Sequence, residues 1–348
     1  MIEHGPPPGE EPEWMREVEA DFQRSRLHLP TRRLSWSQIS TFKMCPACYE
    51  GSYILNLQQA SRHPMGFVGA GVSKALQVAR ELNRKQSPLY RDTIIMAARE
   101  QFHNRAAGIS DWGKEDEHIA PVEWGKLKDY DTTLNLMMRM ADAAVQTFVT
   151  QEDPEMYLGV EVKLEYGDTF PFAFTGYCDA LFKHPQAEDG VIIEDDKTVN
   201  DPGPRLFKQG DLMQLASYAL PIKDSGRRWQ VRVGQVSSRG YGLTKDEKTG
   251  WKELKAAAKK EKREFVPPAG TRDATAPTAT LIPAPLTKVD LEWVRKEVIK
   301  TAFAISACYR EGSFPVSDSN FHRYDHGAPK VIDVLGIKGM AANVDDEE

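Results

Sequence analysis

The chain has 348 residues, with 45 basic and 51 acidic side chains that give a formal net charge of −6. This length accommodates one large domain or two smaller ones, and the negative charge excludes a generally basic nucleic-acid-binding surface, so that function would need local features. Four unevenly spaced cysteines exclude a disulfide framework, and with no signal-peptide pattern and no apolar run long enough to span a bilayer we predict a soluble, cytoplasmic protein without membrane contact.

The first part of the chain is predicted to be a disordered leader followed by helices. Residues 1–30 are polar and include a run of three prolines, which favours disorder. Ser35 or Ser37 is a suitable N-cap for a short helix that ends around Pro46. Apolar residues then recur with helical spacing in three segments, 72–82, 88–105 and 123–150.

From residue 157 onward the pattern changes to strands. Three segments rich in valine, phenylalanine, tyrosine and isoleucine predict a strand meander: 157–166, 170–182 and 191–198. The pattern then predicts, in order, a helix at 205–221, a strand at 229–236, a charged helix at 245–264 and a helix at 290–310. A segment rich in proline, alanine and threonine, 266–287, predicts a flexible loop, and the acidic end, 337–348, predicts disorder.

Four charged residues follow directly after the apolar run Val191–Ile193. Side chains alternate between the two faces of a strand, so Asp195 and Lys197 share one face. Glu194 and Asp196 share the other. Burying an unpaired charge costs on the order of several kcal/mol, so this strand end needs a functional reason. An acid and a lysine on one face, beside a divalent cation, form the arrangement that phosphodiester hydrolysis requires.

The preceding strand contributes a second acid. If residues 184–190 connect an antiparallel hairpin centred on Ala187, Asp179 lies opposite Asp195, with Cβ atoms about 5 Å apart. Two carboxylates this close can share a Mg²⁺ or Mn²⁺ ion, since hard cations prefer oxygen ligands. The alternative is a surface hairpin with an ordinary salt bridge.

Several motifs in this order resemble the core of the PD-(D/E)xK nuclease superfamily, and within it the RecB-like branch of CRISPR-associated and phage exonucleases. The core motifs are 174–181 (FTGYCDAL), 191–198 (VIIEDDKT) and 214–219 (QLASYA), and the opening motif matches at 34–37 (LSWS) and 45–49 (CPACY). The resemblance implies a nuclease domain over residues 31–336. Its fold class would be α/β, with a restriction-endonuclease-like core in which helices flank a central mixed sheet. A helical insertion would occupy residues 83–155.

The resemblance also implies metal ligands and a catalytic lysine. Asp179 and Asp195 would hold Mg²⁺ or Mn²⁺. The main-chain carbonyl of Asp196 would be a further ligand, and Lys197 would be the catalytic lysine. Each of these roles comes from the position of the residue within the matching motif.

Three further residues belong to the predicted site. Gln214 and Tyr218 are four residues apart on one helical face, so both would reach the site and would support the catalytic lysine or contact the DNA backbone. Glu161 lies on the preceding strand. It is either an outer-sphere or second-metal acid or an ordinary solvated charge.

The chain departs from the family pattern at its first core helix. Relatives usually have Gly-x-x-x-His there, with the histidine as a metal ligand, but the matching segment Gly69–Ser73 ends in serine. A hydroxyl is a weak ligand. Metal affinity therefore falls, water fills the position, or the enzyme is inactive.

A second departure concerns the iron–sulfur cluster that many relatives build from one early and three late cysteines. Cys45 fits the early position, but the late segment 313–324 contains no cysteine, so we expect no such cluster. The residue types and spacings of a structural zinc site occur at Cys45, Cys48, His322 and His326. The alternative is that these residues are remnants of a lost cluster.

We therefore predict a metal-dependent nuclease that hydrolyses DNA by in-line attack of water on phosphorus. It would act as an exonuclease on single-stranded or end-exposed DNA in recombination, repair or phage DNA processing, with a helicase or recombination protein as partner. The lysines of helix 245–264 either contact the phosphates of the DNA backbone or simply lie on a solvated helix. The rival interpretation is a DNA-binding or scaffold subunit that keeps the fold but has lost turnover because Ser73 replaces the histidine.

Overall fold

The computed structural model describes residues 28–55, 62–109, 121–199, 209–238, 245–261 and 276–316. The strands are β1 (Leu34–Ser35), β2 (Tyr157–Leu164), β3 (Phe174–His184), β4 (Ala187–Val199), β5 (Trp229–Ser237) and β6 (Thr278–Pro283). The α-helices of this part of the chain are α1 (Trp36–Met44), α2 (Pro46–Tyr49), α3 (Pro64–Arg84), α4 (Arg91–Ala107), α5 (Tyr130–Thr147), α6 (Gln209–Asp224), α7 (Lys245–Lys260) and α8 (Lys288–Glu311). None of these described helices is long and apolar enough to cross a membrane.

The strands form one mixed sheet in the order β1-β3-β4-β5-β6, with β2 also paired to β3. The short strand β1 is parallel to the start of β3, and β2 is antiparallel to the rest of it. β3 and β4 form an antiparallel hairpin, β4 and β5 are parallel, and β6 is antiparallel to β5. A central mixed sheet flanked by helices confirms the predicted α/β class with a restriction-endonuclease-like core.

Helices cover both faces of the sheet. On one face, α1, α6 and α8 bury their apolar side chains against strand residues such as Ile193 and Val231. On the other face, α3, α4 and α5 form a second core that meets the sheet at Val236. Because both faces are covered, the short apolar run in β4 is buried, and the charges that follow it lie between the two layers.

Several predicted elements are present with shifted ends. Ser35 is the N-cap of α1 and forms a capping box with Gln38, which decides between the two predicted caps. The helix predicted at 72–82 begins earlier, at Pro64, because proline suits the first turn of a helix and the His63 side chain caps that turn.

The prediction of a flexible loop at 266–287 is wrong for its second half, where β6 occupies Thr278–Pro283. Backbone pairing with β5 stabilises this segment in spite of its composition. The first half of that loop, the predicted tail at 337–348 and nearly all of the predicted leader at 1–30 lie outside the described residues. The domain boundaries and the insertion at 83–155 stay predictions.

Candidate active site

The register of the β3–β4 hairpin matches the prediction. Ala180 pairs with Glu194 and Leu181 with Ile193, and one further step along the same register sets Asp179 opposite Asp195. The predicted connection was wrong in detail, because the tight turn lies at residues 185–186 and β4 already begins at Ala187. The pairing shifts by three residues between Lys183, which pairs with Val191, and His184, which pairs with Ala187, and this irregularity brings the pairs nearer the site into the predicted register.

The Asp179 side chain lies between the two strands. Its carboxylate accepts a hydrogen bond from the backbone N–H of Asp196, so the two residues are tied together at the point where the paired ladder ends. Gly176, three residues earlier, lies against the helix that follows, since a Cβ there would be 3.1 Å from Cε1 of Tyr218. Glycine at this position lets α6 approach the sheet.

The predicted lysine, glutamine and tyrosine lie together on the face that α6 covers. Lys197 Nζ is 2.7 Å from Oδ2 of Asp195 and donates a hydrogen bond of 3.2 Å to Oε1 of Gln214. Gln214 Nε2 in turn donates to the Tyr218 hydroxyl at 2.6 Å. The structure therefore brings these four predicted residues into one chain of contacts.

Burial perturbs the ionisable groups of this cluster. It raises the pKa of Asp179 well above the ordinary carboxyl range, and the charges of Asp196 and Asp195 raise it further. Burial also raises the pKa of Asp195, although Lys197 opposes the shift. For Lys197, burial lowers the pKa, but the Asp195 carboxylate more than compensates and the net shift is upward. Lys197 therefore remains an ammonium ion at neutral pH, which suits it to stabilise negative charge rather than to act as a base.

We expect Asp179→Asn to stabilise the metal-free protein at pH 8 by about 1–2 kcal/mol, the size of an ordinary single-substitution effect. A carboxyl whose folded-state pKa is raised destabilises the folded state as pH rises above the unfolded value of about 4, because ionisation is then less favourable in the folded protein. The asparagine oxygen can still accept the Asp196 N–H. Urea unfolding at pH 8 and pH 4 measures the effect, which should vanish at pH 4.

The exposed acid Asp189 provides the control for this substitution, since Asp189→Asn should change stability little at either pH. An Asp179→Asn protein that is less stable than the wild type at pH 8 would contradict the prediction.

Glu161 lies beside the acidic cluster rather than on an ordinary solvated strand face. Val160 pairs with Ala180 and Val162 with Cys178, so the register sets Glu161 opposite Asp179. The side chain is half-buried, and its pKa is raised by burial first and then by the charge of Asp196.

The backbone of Glu161 has φ of 51°, in the left-handed region. The other non-glycine residues with positive φ in the described ranges, Gln86 and Lys128, follow helix ends. A left-handed conformation inside a strand is costly for glutamate, and such strain is concentrated at functional sites.

The serine that replaces the family histidine also lies at the site. A cavity of about 200 Å³ is lined by Gly69, Val72, Ser73, Asp196, Lys197, Thr198 and Val236. A Cβ at Gly69 would be 3.0 Å from Oγ1 of Thr198, so a side chain there would push α3 away from β4. This close approach places Ser73 in the same cavity as Asp196 and Lys197.

One residue of the site was missed from the sequence. Arg80 of α3 is 1 % exposed, and its guanidinium contacts Asp196 and Glu194 on the opposite face of β4 from Lys197. Arg232 of β5 pairs with the same Glu194, and both arginines lie near Glu152. The sequence signal was an arginine on the apolar stripe of α3, eight residues after Val72.

A divalent cation fits the chemistry of this cluster. Among the described residues no three or more His, Cys, Asp or Glu side chains form a ready-made metal cage, but Mg²⁺ commonly takes one or two carboxylates and keeps several waters. Asp179 and Asp195 supply two carboxylates whose mutual repulsion a dication would relieve. Acidic side chains outnumber the basic side chains that lie near them in this part of the structure. The acids are Glu152, Glu161, Asp179, Glu194, Asp195 and Asp196, and the basic residues are Lys74, Arg80, Lys197 and Arg232.

The predicted zinc site is not tested by the structure. Cys45 and Cys48 are both buried, and the Cys48 N–H donates to the Cys45 sulfur at 3.4 Å. His322 and His326 lie outside the described residues. A structural Zn²⁺ therefore stays a prediction, as does the expectation that no iron–sulfur cluster is present.

Comparison with known protein families gives a match. A family model described as the PD-(D/E)XK nuclease superfamily matches residues 33–319. No curated protein matches the chain. The family model describes the superfamily as a whole, so membership of the RecB-like branch stays a prediction.

Proposed function

We propose that this chain, which belongs to the PD-(D/E)XK nuclease superfamily, is a metal-dependent deoxyribonuclease of the RecB-like type. The observation that carries the proposal is the register of β3 and β4, which sets Asp179 opposite Asp195 beside the ammonium group of Lys197. Hydrolysis of a phosphodiester needs oxygen ligands for a cation and a fixed positive charge near the phosphate. The three side chains supply both.

In the proposed mechanism, Asp179 and Asp195 would hold Mg²⁺ or Mn²⁺, with the main-chain carbonyl of Asp196 as a further ligand. When bound, the cation would act as a Lewis acid on the phosphate and lower the pKa of water. Water attacks phosphorus in line with the departing sugar oxygen and the bond between phosphorus and that oxygen breaks; the attacking water gives its proton to solvent, and the departing oxygen takes a proton from solvent. Lys197 stabilises the negative charge that develops on the phosphate oxygens, and Gln214 keeps the ammonium group in place through its hydrogen bond.

The proposed substrate is DNA that is single-stranded or has free ends, cleaved exonucleolytically in recombination, repair or phage DNA processing, with a helicase or recombination protein as partner. Exposed lysines of α7 support contact with a phosphate backbone: Lys252, Lys255, Lys259 and Lys260. Phosphate contacts of this kind make affinity fall steeply with salt. Residues Lys262 and Arg263 of the predicted basic helix lie outside the described part.

A cleavage assay with end-labelled DNA tests the proposal. Single- and double-stranded substrates, labelled at either end and at both, are incubated with Mg²⁺, with Mn²⁺ or with EDTA. We expect cation-dependent release of short products from free ends and much slower cleavage of covalently closed circles. Cleavage in EDTA at the same rate would reject metal dependence, and equal cleavage of circles would reject exonuclease action.

The second candidate is a DNA-binding or scaffold subunit without turnover. The observation that favours it is Ser73, which lies in the cavity beside Asp196 and Lys197 where relatives have a histidine ligand. This candidate predicts salt-dependent DNA binding without cleavage at any cation concentration. The same assay, combined with a DNA-binding measurement on the same protein, separates the two functions.

We expect Glu161→Gln to weaken Mn²⁺ binding by about tenfold, within the range that supporting residues of metal sites show. Glu161 is half-buried opposite Asp179 in a strained backbone conformation, so its carboxylate adds negative charge on the side of the site away from α6. Calorimetric titration of the folded protein with Mn²⁺ measures the change. Glu165→Gln, an exposed acid four residues later, is the matched control, and equal affinities for both variants would leave Glu161 as an ordinary strand charge.

A further inference from the structure

Arg80 joins helix α3 to the strand that holds the proposed metal ligands. Its Nη1 is 2.6 Å from Oδ2 of Asp196, and its Nη2 is 3.4 Å from the other carboxylate oxygen of the same residue. The second nitrogen also donates to Glu194. The forked guanidinium thus contacts both carboxylate oxygens of Asp196, a geometry that fixes the orientation of this carboxylate as well as its position.

Asp196 connects this buried arginine to the other face of β4. Its side chain is held on the α3 face, while its backbone N–H donates to Asp179 and its carbonyl is one of the proposed metal ligands. Gly234, paired with Asp196 on β5, leaves room for the carboxylate, since a Cβ there would collide with Asp196 Oδ1. The side chain is therefore confined by an arginine on one side and a neighbouring strand on the other.

We propose that Arg80 is a positioning residue for the metal centre and acts through Asp196. By holding the Asp196 side chain, it fixes the peptide groups that orient the Asp179 carboxylate and aim the Asp196 carbonyl at the cation. This inference rests on the proposed function, because it assigns Arg80 a part in the metal site named there. Arg80 touches neither the substrate nor the cation.

Charge alone predicts that replacing Arg80 has the opposite effect on metal affinity. An arginine beside a metal site repels the cation, so replacing it with a neutral residue should tighten metal binding if charge were its whole contribution. A positioning role predicts weaker binding. It also predicts weaker binding for Arg80→Lys, which keeps the charge and loses the fork.

The test is the Mn²⁺ affinity of the full-length protein, measured by calorimetry on variants whose circular dichroism shows them to be folded. We expect Arg80→Lys to weaken binding by about 10- to 100-fold, the range for residues that orient metal ligands. Arg232→Lys is the matched control, because Arg232 contacts Glu194, Glu152 and the ring of Phe182. Its Mn²⁺ affinity should stay within about twofold of the wild type, because Arg232 shares Glu194 with Arg80 but its described contacts do not include Asp196.

Asp196→Ala supplies the second measurement, because it removes the carboxylate that Arg80 grips and leaves the backbone groups. If Arg80 acts through Asp196, the double variant Arg80→Lys/Asp196→Ala binds Mn²⁺ no more weakly than Asp196→Ala alone. Additive losses overturn the inference, as does unchanged or tighter binding by Arg80→Lys. A wild-type protein that binds no Mn²⁺ and cleaves no DNA would instead contradict the proposed function, and with it the positioning role of Arg80.

Discussion

Asp195→Ala and Lys197→Ala are each expected to lower the rate of DNA cleavage by at least about 10²–10³-fold, the loss seen when one preorganised electrostatic contact is removed from an active site. Asp195 is buried and, in the proposed mechanism, would supply one of two carboxylates for the cation, so its removal should abolish Mn²⁺ binding together with cleavage. Lys197 is an ammonium group beside that carboxylate. Its removal should lower kcat while Mn²⁺ still binds.

Two exposed residues of the same hairpin provide matched controls, Lys183→Ala on β3 and Glu188→Ala on β4. Both should cleave DNA at close to the wild-type rate, because both side chains are exposed and lie at the turn end of the hairpin, away from Asp179 and Asp195. End-labelled DNA with Mg²⁺ or Mn²⁺ gives the rates, and calorimetry gives Mn²⁺ binding. Undiminished cleavage by Asp195→Ala and Lys197→Ala would reject this site even though the chain belongs to a nuclease superfamily.

The central part of the site was predictable because strand geometry constrains it. In a regular antiparallel pair the sum of the two residue numbers is constant, and a turn centred on Ala187 predicts Asp179 opposite Asp195. The turn lies instead at residues 185–186, and the pairing beside it, His184 with Ala187, would set Asp179 opposite Ile192; the three-residue shift at Lys183 restores the predicted register. Gln214 and Tyr218 followed from helical spacing in the same way. Local periodicity therefore accounts for Lys197, Gln214 and Tyr218, whereas the pairing of Asp179 with Asp195 also depends on the shift of register.

Arg80 could not be predicted in this way because its contacts are remote in sequence. It contacts Asp196, which lies 116 residues later in the sequence, and this contact depends on how α3 packs on β4. The composition of the 266–287 segment was misleading for a related reason. Pairing with β5 makes residues 278–283 a strand, and proline is tolerated there because it lies at the end of an edge strand. In both cases contacts between residues that are distant in the sequence determine the local structure.

Glu161 was assigned to a solvated strand face as one of two alternatives, since an isolated acid in an alternating pattern carries no further signal. Its position depends on a local left-handed turn of the backbone at φ 51°. Strand periodicity assumes a regular extended chain, so a single irregular residue changes which groups its side chain meets.

Glu194→Ala is expected to destabilise the protein by about 3–5 kcal/mol at pH 8, the cost of removing one partner of a buried ion pair. Glu194 is fully buried and accepts hydrogen bonds from both Arg80 and Arg232. Burial raises its pKa to about 7 despite the two arginines, so at pH 8 the carboxylate is ionised. Without it, both guanidinium groups would lie in the interior with less negative charge to balance them.

Urea unfolding at pH 8 measures this loss, and the surface pair Arg84–Glu81 gives the comparison. Glu81→Ala breaks a contact of 3.0 Å between two partly exposed side chains, which should change the unfolding free energy by less than about 1 kcal/mol. A loss below about 1 kcal/mol for Glu194→Ala would contradict a dry interior at this point, because a solvated network tolerates the loss of one carboxylate. A large loss would mean that buried charge pairs on the α3 face of β4 keep the strand end that bears Asp195 and Lys197 ordered.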